Sequence, residues 1–148
     1  MVRRNEETIR RTFETVNRDG LAGVLALVEN TIHPECEWLP ALSGVEGRVY
    51  RGRAGMRDFW RDWFGAFEDI RYEEIHVRSV ETDRVILLCQ VILRGRGSAI
   101  PLRQDLGVLY EFDAGLIRRG AAYFSHDDAL KAASRASKDQ TARSRSPE

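Results

Sequence analysis

The sequence predicts an α+β domain in which helices come first and a meandering, mostly antiparallel sheet follows. Apolar residues recur at steps of three and four over Ile9–Val28 and again over Met56–Phe67, and beyond Glu68-Asp69 the period changes to two. The later β-prone runs are separated by short turns: Thr82-Asp83, Gly95-Arg96-Gly97-Ser98 and Asp113-Ala114-Gly115. Helices followed by hairpin-joined strands place the helices on one face of a single sheet.

The first helix follows from Asn5, a residue suited to an N-cap, with Glu6 and Glu7 in the first turn and Ile9, Phe13 and Val16 at helical spacing. Asn17-Arg18-Asp19-Gly20 breaks the pattern, and Asp19 caps a second helix carrying Leu21, Val24, Leu25 and Val28. His33-Pro34 ends it, because the residue before proline disfavours helical geometry. Cys36 to Pro40 reads as a short strand, and Ser43 to Tyr50 as a loop or small hairpin. Residues 54–67 give the clearest helix, with Met56, Phe59, Trp60, Trp63, Phe64 and Phe67 on one stripe and Arg57, Asp58, Arg61 and Asp62 facing away. Strands are expected over Ile70–Val80, Arg84–Leu93, Ala99–Phe112 and Leu116–Phe124, roughly five in all with the first. Asp127–Ala133 suggests one closing helical turn. The domain is expected to span residues 1–133, and 134–148 to form a polar, disordered tail, since almost nothing apolar remains there to offset ordering entropy. Long strands twist and curl, so a sheet covered by three helices leaves a space between the layers, toward which the aromatic stripe would point.

Composition narrows the function classes. The 148 residues suit one core, and 23 basic against 23 acidic residues give a formal net charge of +0. Nothing supports a nucleic-acid or anionic-membrane partner, both of which call for a basic excess. No apolar run approaches the ~18 residues of a membrane span, and no secretory signal is visible; a cytoplasmic location is expected by elimination. Cys36 and Cys89 sit in apolar surroundings and read as buried thiols. His33, His76 and His126 show no ligand spacing, so no metal site is expected, and no cofactor motif is present.

Several ordered segments resemble a known family. His33-Pro34-Glu35-Cys36-Glu37-Trp38 resembles the helix-to-strand passage of SnoaL-like proteins of the nuclear-transport-factor-2-like superfamily. Tyr50-Arg51-Gly52-Arg53-Ala54-Gly55-Met56 is similar to that family's entry to its third helix. Asp83-Arg84-Val85, Gly95-Arg96-Gly97-Ser98 and Asp113-Ala114-Gly115-Leu116-Ile117 are similar to its strand-turn punctuation, and Ala122-Tyr123-Phe124-Ser125 followed by Asp128-Ala129-Leu130-Lys131-Ala132 resembles its closing strand and tail. The resemblance covers residues 5–133 in order. It implies a cystatin-like conical half-barrel with a deep pocket and a homodimer formed through the sheet, and it implies no single activity. Members include polyketide cyclases, a ketosteroid isomerase, dehydratases, an epoxide hydrolase and non-catalytic binding modules. The positions that carry the isomerase's base, tyrosine and second acid fall on Leu39, near Thr12 and near Gly107 in this chain. Ser125 stands where the closing strand often carries Asp.

Asp105 is the candidate catalytic group. Parity puts it on the face of Gly107, and a carboxylate inside an apolar pocket has its pKa raised by desolvation and works as a base near neutral pH. The competing reading is an outer-face Asp paired with an arginine. Substrate-binding candidates are the aromatic residues Trp38, Tyr50, Phe59, Trp60, Trp63 and Phe64. Gln90, Tyr110 and Phe124 join them, with Gln90 or Tyr110 as partner of a ligand carbonyl; Gln90 reads equally as a residue that only bonds across the sheet. Tyr123 belongs to the same aromatic set, about half of which is expected to reach the pocket. Glu37, adjacent to Trp38, is expected to be solvated or salt-bridged, and His126 to lie in an exposed capping segment. Two functions fit this pattern, beside a third reading in which the core is filled and the domain only dimerises. One is cofactor-free acid/base chemistry, of cyclase, isomerase or dehydratase type, on a small hydrophobic molecule; the other is non-catalytic ligand binding or protein interaction.

Overall fold

The N-terminal helical periodicity becomes α1, Val2–Thr31, in the computed structural model, which describes residues 2–41 and 48–145. The two expected helices are the two legs of α1, joined across a kink at Gly20, whose φ of 67° and ψ of −148° suit glycine alone. Asn5 lies within α1 and is buried, not at its cap, because the helix begins upstream of it at Val2. α1 ends at Thr31, just before the His33-Pro34 stop.

The remaining elements follow in order: β1 Ile32–Leu39, β2 Tyr50–Arg51, α2 Gly52–Ala66, β3 Phe67–Glu81, β4 Arg84–Gly95, β5 Leu102–Asp113, β6 Leu116–Tyr123 and α3 His126–Arg145. Most of the 43–50 segment read as a loop or small hairpin lies outside the described residues; its last residue, Tyr50, opens β2. The described strands form one six-stranded sheet in the order β2-β1-β6-β5-β4-β3. It gains a strand over the expected five because Tyr50 and Arg51 pair with Trp38 and Glu37. It is mixed, since β1 runs parallel to β6 while every other pair is antiparallel.

Alternation along the central strands fills both faces. Val85, Leu87, Cys89 and Val91 of β4, with Leu106, Val108 and Tyr110 of β5, enter the main core beneath α1 and α2. Ile86 and Leu109 point the other way and pack on Ala129, Ala132 and Ala133 of α3. α3 extends well past the single turn expected over 127–133, through residues whose composition predicts disorder, and Asp127 and Asp128 in its first turn complement the helix dipole. Gly107 shows how closely α3 lies on the sheet: a Cβ there would stand 2.5 Å from the Cβ of Ala129. His126 is half-buried rather than an exposed cap, and its Nε2 lies 2.8 Å from the Cys89 carbonyl oxygen, fastening the start of α3 to β4. Burial also pushes the Cys36 thiol up to about 11 and the Cys89 thiol up to about 12.

β3 is an edge strand, and polar side chains of α1 close its open side. Asn17 substitutes for a neighbouring strand: its Oδ1 accepts from the Tyr72 N–H at 2.9 Å and its Nδ2 donates to the Tyr72 carbonyl at 2.8 Å. Arg10 donates to the Val77 carbonyl, and Glu6 accepts from both the N–H and the hydroxyl of Ser79 at 3.0 and 2.6 Å. The Ser79 hydroxyl, opposed by partial desolvation, holds the Glu6 carboxyl below its usual pKa. A depressed carboxylate contributes stability that is complete above its unfolded pKa and is lost as pH falls through the folded value. Glu6→Gln should therefore be less stable than the parent at pH 7, and the gap should narrow toward pH 3; urea unfolding at both pH values checks this, and a gap independent of pH would contradict it.

Candidate functional site

A cavity of about 240 Å³ lies between the helices and the inner face of the sheet. α1 contributes Ile9, Phe13, Val24 and Val28, and α2 contributes Met56, Phe59, Trp60 and Trp63. Trp38 of β1, Tyr72 of β3, Leu106, Val108 and Tyr110 of β5, and Ala122 of β6 form the floor. The sheet is bent around this space by register shifts within β3, between β5 and β6, and between β1 and β6.

Gly120 lies directly beneath the Trp38 part of the floor. Trp38 pairs with Gly120 across β1 and β6, and Gly120 pairs with Tyr110 across β6 and β5. A Cβ at 120 would lie 2.6 Å from both Cε3 and Cζ3 of Trp38 and 3.4 Å from Cδ1 of Tyr110. The missing side chain thus lets the indole lie over the strand and stack on Tyr110, with ring centroids 6.2 Å apart and planes 22° apart. Phe59 continues the aromatic wall, 5.1 Å from Trp38, 5.5 Å from Tyr50 and 6.1 Å from Trp63. Trp60 is buried between Phe13, Phe59 and Phe64 at centroid distances of 6.5, 5.3 and 6.3 Å.

Few polar atoms line this space. The Thr12 and Thr31 hydroxyls donate to carbonyls of α1 itself. The Trp63 Nε1–H donates to the Tyr72 hydroxyl oxygen at 2.9 Å. Burial raises the pKa of Tyr72 and raises that of Tyr110 well above the ordinary phenol value, so both stay protonated. The charged residues of the lining, Arg48 and Asp62, are exposed and form the mouth. There the Tyr50 hydroxyl donates to Asp62 at 2.8 Å, Arg48 stands 3.5 Å from the same carboxylate, and the Arg48 guanidinium lies 4.4 Å above the Tyr50 ring. Burial, and secondarily this bond to Asp62, raise the Tyr50 pKa. No buried carboxylate or imidazole is found in the lining among the described residues.

Seven of the nine proposed contact residues therefore reach the cavity: Trp38, Tyr50, Phe59, Trp60, Trp63, Tyr110 and Phe124. Phe64 does not; it packs on the core from the side of Trp60. Tyr123 lies on the outer face with Leu88 and Leu130. Asp105 requires a correction. It does share the face of Gly107, but that face is the outer one beneath α3, and Asp105 is exposed. Its Oδ1 accepts from Gln90 Nε2 at 2.5 Å, which takes Gln90 out of the pocket as well. The residues of β5 that face inward are Leu106, Val108 and Tyr110. Glu37 is held by Arg51 at 2.6 Å, as expected, and His76 is exposed on the sheet. His33 stands 3.5 Å from Asp113 and accepts the Glu35 N–H on its Nδ1. Of the positions matched to the isomerase's catalytic groups, only Thr12 lines the cavity. Tyr72 and Gly120 were not singled out from sequence; Tyr72 could have been found as an aromatic residue in a strand directly after the aromatic helix.

The model of the SnoaL-like domain family matches residues 9–120 of the chain. No curated protein matches the sequence. Among solved structures, a nuclear-transport-factor-2-like protein of unknown function from Burkholderia pseudomallei is 17% identical, with a TM-score of 0.68 over 86% of this chain and 95% of that one. A proposed SnoaL-like polyketide cyclase from a Jannaschia species is 18% identical, with a TM-score of 0.67 over 89% of this chain and 92% of that one. A phenazine biosynthesis-related protein from Pseudomonas aeruginosa is also 18% identical, with a TM-score of 0.65 over 89% and 86% of the two chains. At these identities the likeness is one of fold.

Proposed function

The chain belongs to the SnoaL-like domain family, and on that premise we propose that its cavity binds a small, largely apolar molecule of one or two rings. The observation that carries this reading is the cavity itself: about 240 Å³, walled by aromatic rings, with its charged residues confined to the mouth. An engineered apolar cavity of about 150 Å³ takes up benzene, so the larger space suits a bicyclic molecule. Such a ligand would bury roughly 300 Å² of apolar surface, about 7 kcal/mol before association costs, which corresponds to micromolar to millimolar dissociation constants.

Binding without turnover fits the chemistry better than acid/base catalysis. Proton abstraction needs a base within reach of the reacting atom. Asp105 lies outside, and Asp62 is exposed and engaged by Tyr50 and Arg48. The structural neighbours named for polyketide and phenazine chemistry support a small ring-bearing ligand as the class to try first.

All three tryptophans of the chain line the cavity, so their emission reports on its contents. Titration with tetralin should change that emission saturably, with a dissociation constant below about 1 mM. Ala122→Phe, which places a ring into the cavity from β6, should weaken binding at least about tenfold, one decade being about 1.4 kcal/mol. A non-saturable response, or equal affinity in the filled variant, would remove the proposal.

A further inference from the structure

Outside the cavity, the exposed large apolar side chains among the described residues are Ile100, at 76%, and Leu102, at 66%. Both stand where β4 turns into β5, and every residue from Arg96 to Arg103 is exposed. One apolar residue on a surface is ordinary, but two flanking a proline at a single tip call for an explanation.

The strand register places this tip at the open end of the sheet. Leu102 pairs with the core residue Leu93 and shares a face with Leu106, which lines the cavity. Gln104, between them, donates to the carbonyl of Phe124, another cavity residue, and Leu102 lies beyond both. Arg48 at the cavity mouth precedes Tyr50, which pairs antiparallel with Trp38, and so lies toward the same end.

The tip is also prepared for loss of water. The Ser98 N–H donates to the Gly95 carbonyl at 3.1 Å, the Ser98 Oγ accepts from the Ile100 N–H at 3.3 Å, and Pro101 has no N–H to satisfy. A lipid environment penalises backbone donors that lack such partners. Charge adds a second feature. The net charge of +0 belongs to the whole chain, whereas residues 94–103 hold Arg94, Arg96 and Arg103 and no acidic residue. Arg94 stands 3.3 Å from Glu68 and Arg103 2.8 Å from Glu74, but Arg96, bonded to the Gly65 carbonyl, has no carboxylate partner among the described residues.

We infer that the β4–β5 tip docks on an anionic lipid surface, with Ile100 and Leu102 entering the acyl boundary and Arg94 and Arg96 meeting lipid phosphates. Arginine suits that position because its stem lies along apolar surface while its head stays wet. The size of the patch favours lipid over protein: two such side chains offer on the order of 200 Å², against about 800 Å² per partner in a stable protein interface. The inference goes beyond the ligand-binding reading and does not depend on it.

Co-sedimentation with vesicles tests it. The parent protein should bind phosphatidylcholine vesicles containing phosphatidylserine, bind pure phosphatidylcholine vesicles more weakly, and lose affinity as salt rises. The double variant Ile100→Ser/Leu102→Ser should bind the anionic vesicles at least about tenfold more weakly. Arg96→Gln should weaken the same binding several-fold and flatten its salt dependence. Because these side chains are exposed, both variants should keep the parent Tm, which separates lost docking from lost folding. No binding by the parent, or equal binding by the double variant, overturns the inference. Self-association of the parent in light scattering that the double variant abolishes would overturn it too, by assigning the patch to a second copy of the chain.

Discussion

Gly120→Ala is expected to destabilise the protein by about 2 kcal/mol, within the range for overpacked cores, and to lower Tm by roughly 6 °C. The new methyl would sit 2.6 Å from two ring carbons of Trp38, closer than carbon atoms approach. The indole cannot retreat sideways, since Phe59 stands 5.1 Å away on one side and Tyr110 6.2 Å away on the other. The remaining exit is into the cavity, so the substitution should also reduce cavity volume and shift tryptophan emission. Thermal unfolding followed by fluorescence checks both effects. A variant with unchanged Tm and emission would show that Trp38 does not depend on the gap at Gly120.

Trp60→Ala is expected to have the largest effect on stability, about 3–5 kcal/mol, or more than 10 °C in Tm. Trp60 is buried, and its ring joins Phe13 of α1 to Phe59 and Phe64 of α2. Its removal loosens both helices from one another. Single-domain stabilities are about 5–15 kcal/mol, so the variant should retain only a small margin. Chemical denaturation of parent and variant measures the difference; a loss below about 1 kcal/mol would mean that the helical layer is held by contacts elsewhere.

The layer order and the aromatic helix were legible because both are written as periodicity. Met56, Phe59, Trp60 and Trp63 recur at steps that allow one facing surface, and that surface lines the cavity. Asp105 was misplaced for a reason that also follows from periodicity. Alternation says which residues share a face, as Asp105 and Gly107 do, but not which face is concave. The deciding fact was that α3 lies over Gly107, and the small, polar composition of residues 126–145 does not announce a long helix. Bulges set another limit. In β3 the inward residues are Ile70 and Tyr72 before Glu74 but Ile75 and Val77 after it, because Glu74 takes a φ of 52° and the pairing with β4 slips there. Asn17 reads as a helix breaker in sequence, yet its amide pairs both backbone groups of Tyr72, a partnership between positions 55 residues apart that no local pattern encodes.

The central claim is that the space between α2 and the floor at Trp38, Tyr110 and Gly120 is a ligand site. An anomalous difference map from a crystal soaked in 1-bromonaphthalene tests it most directly, because bromine marks its own position. The account predicts a bromine peak inside the cavity, bounded by Phe59, Trp63 and Tyr110. An empty cavity, with bromine found only on the surface, for example beside the exposed side chains of Ile100 and Leu102, would contradict it.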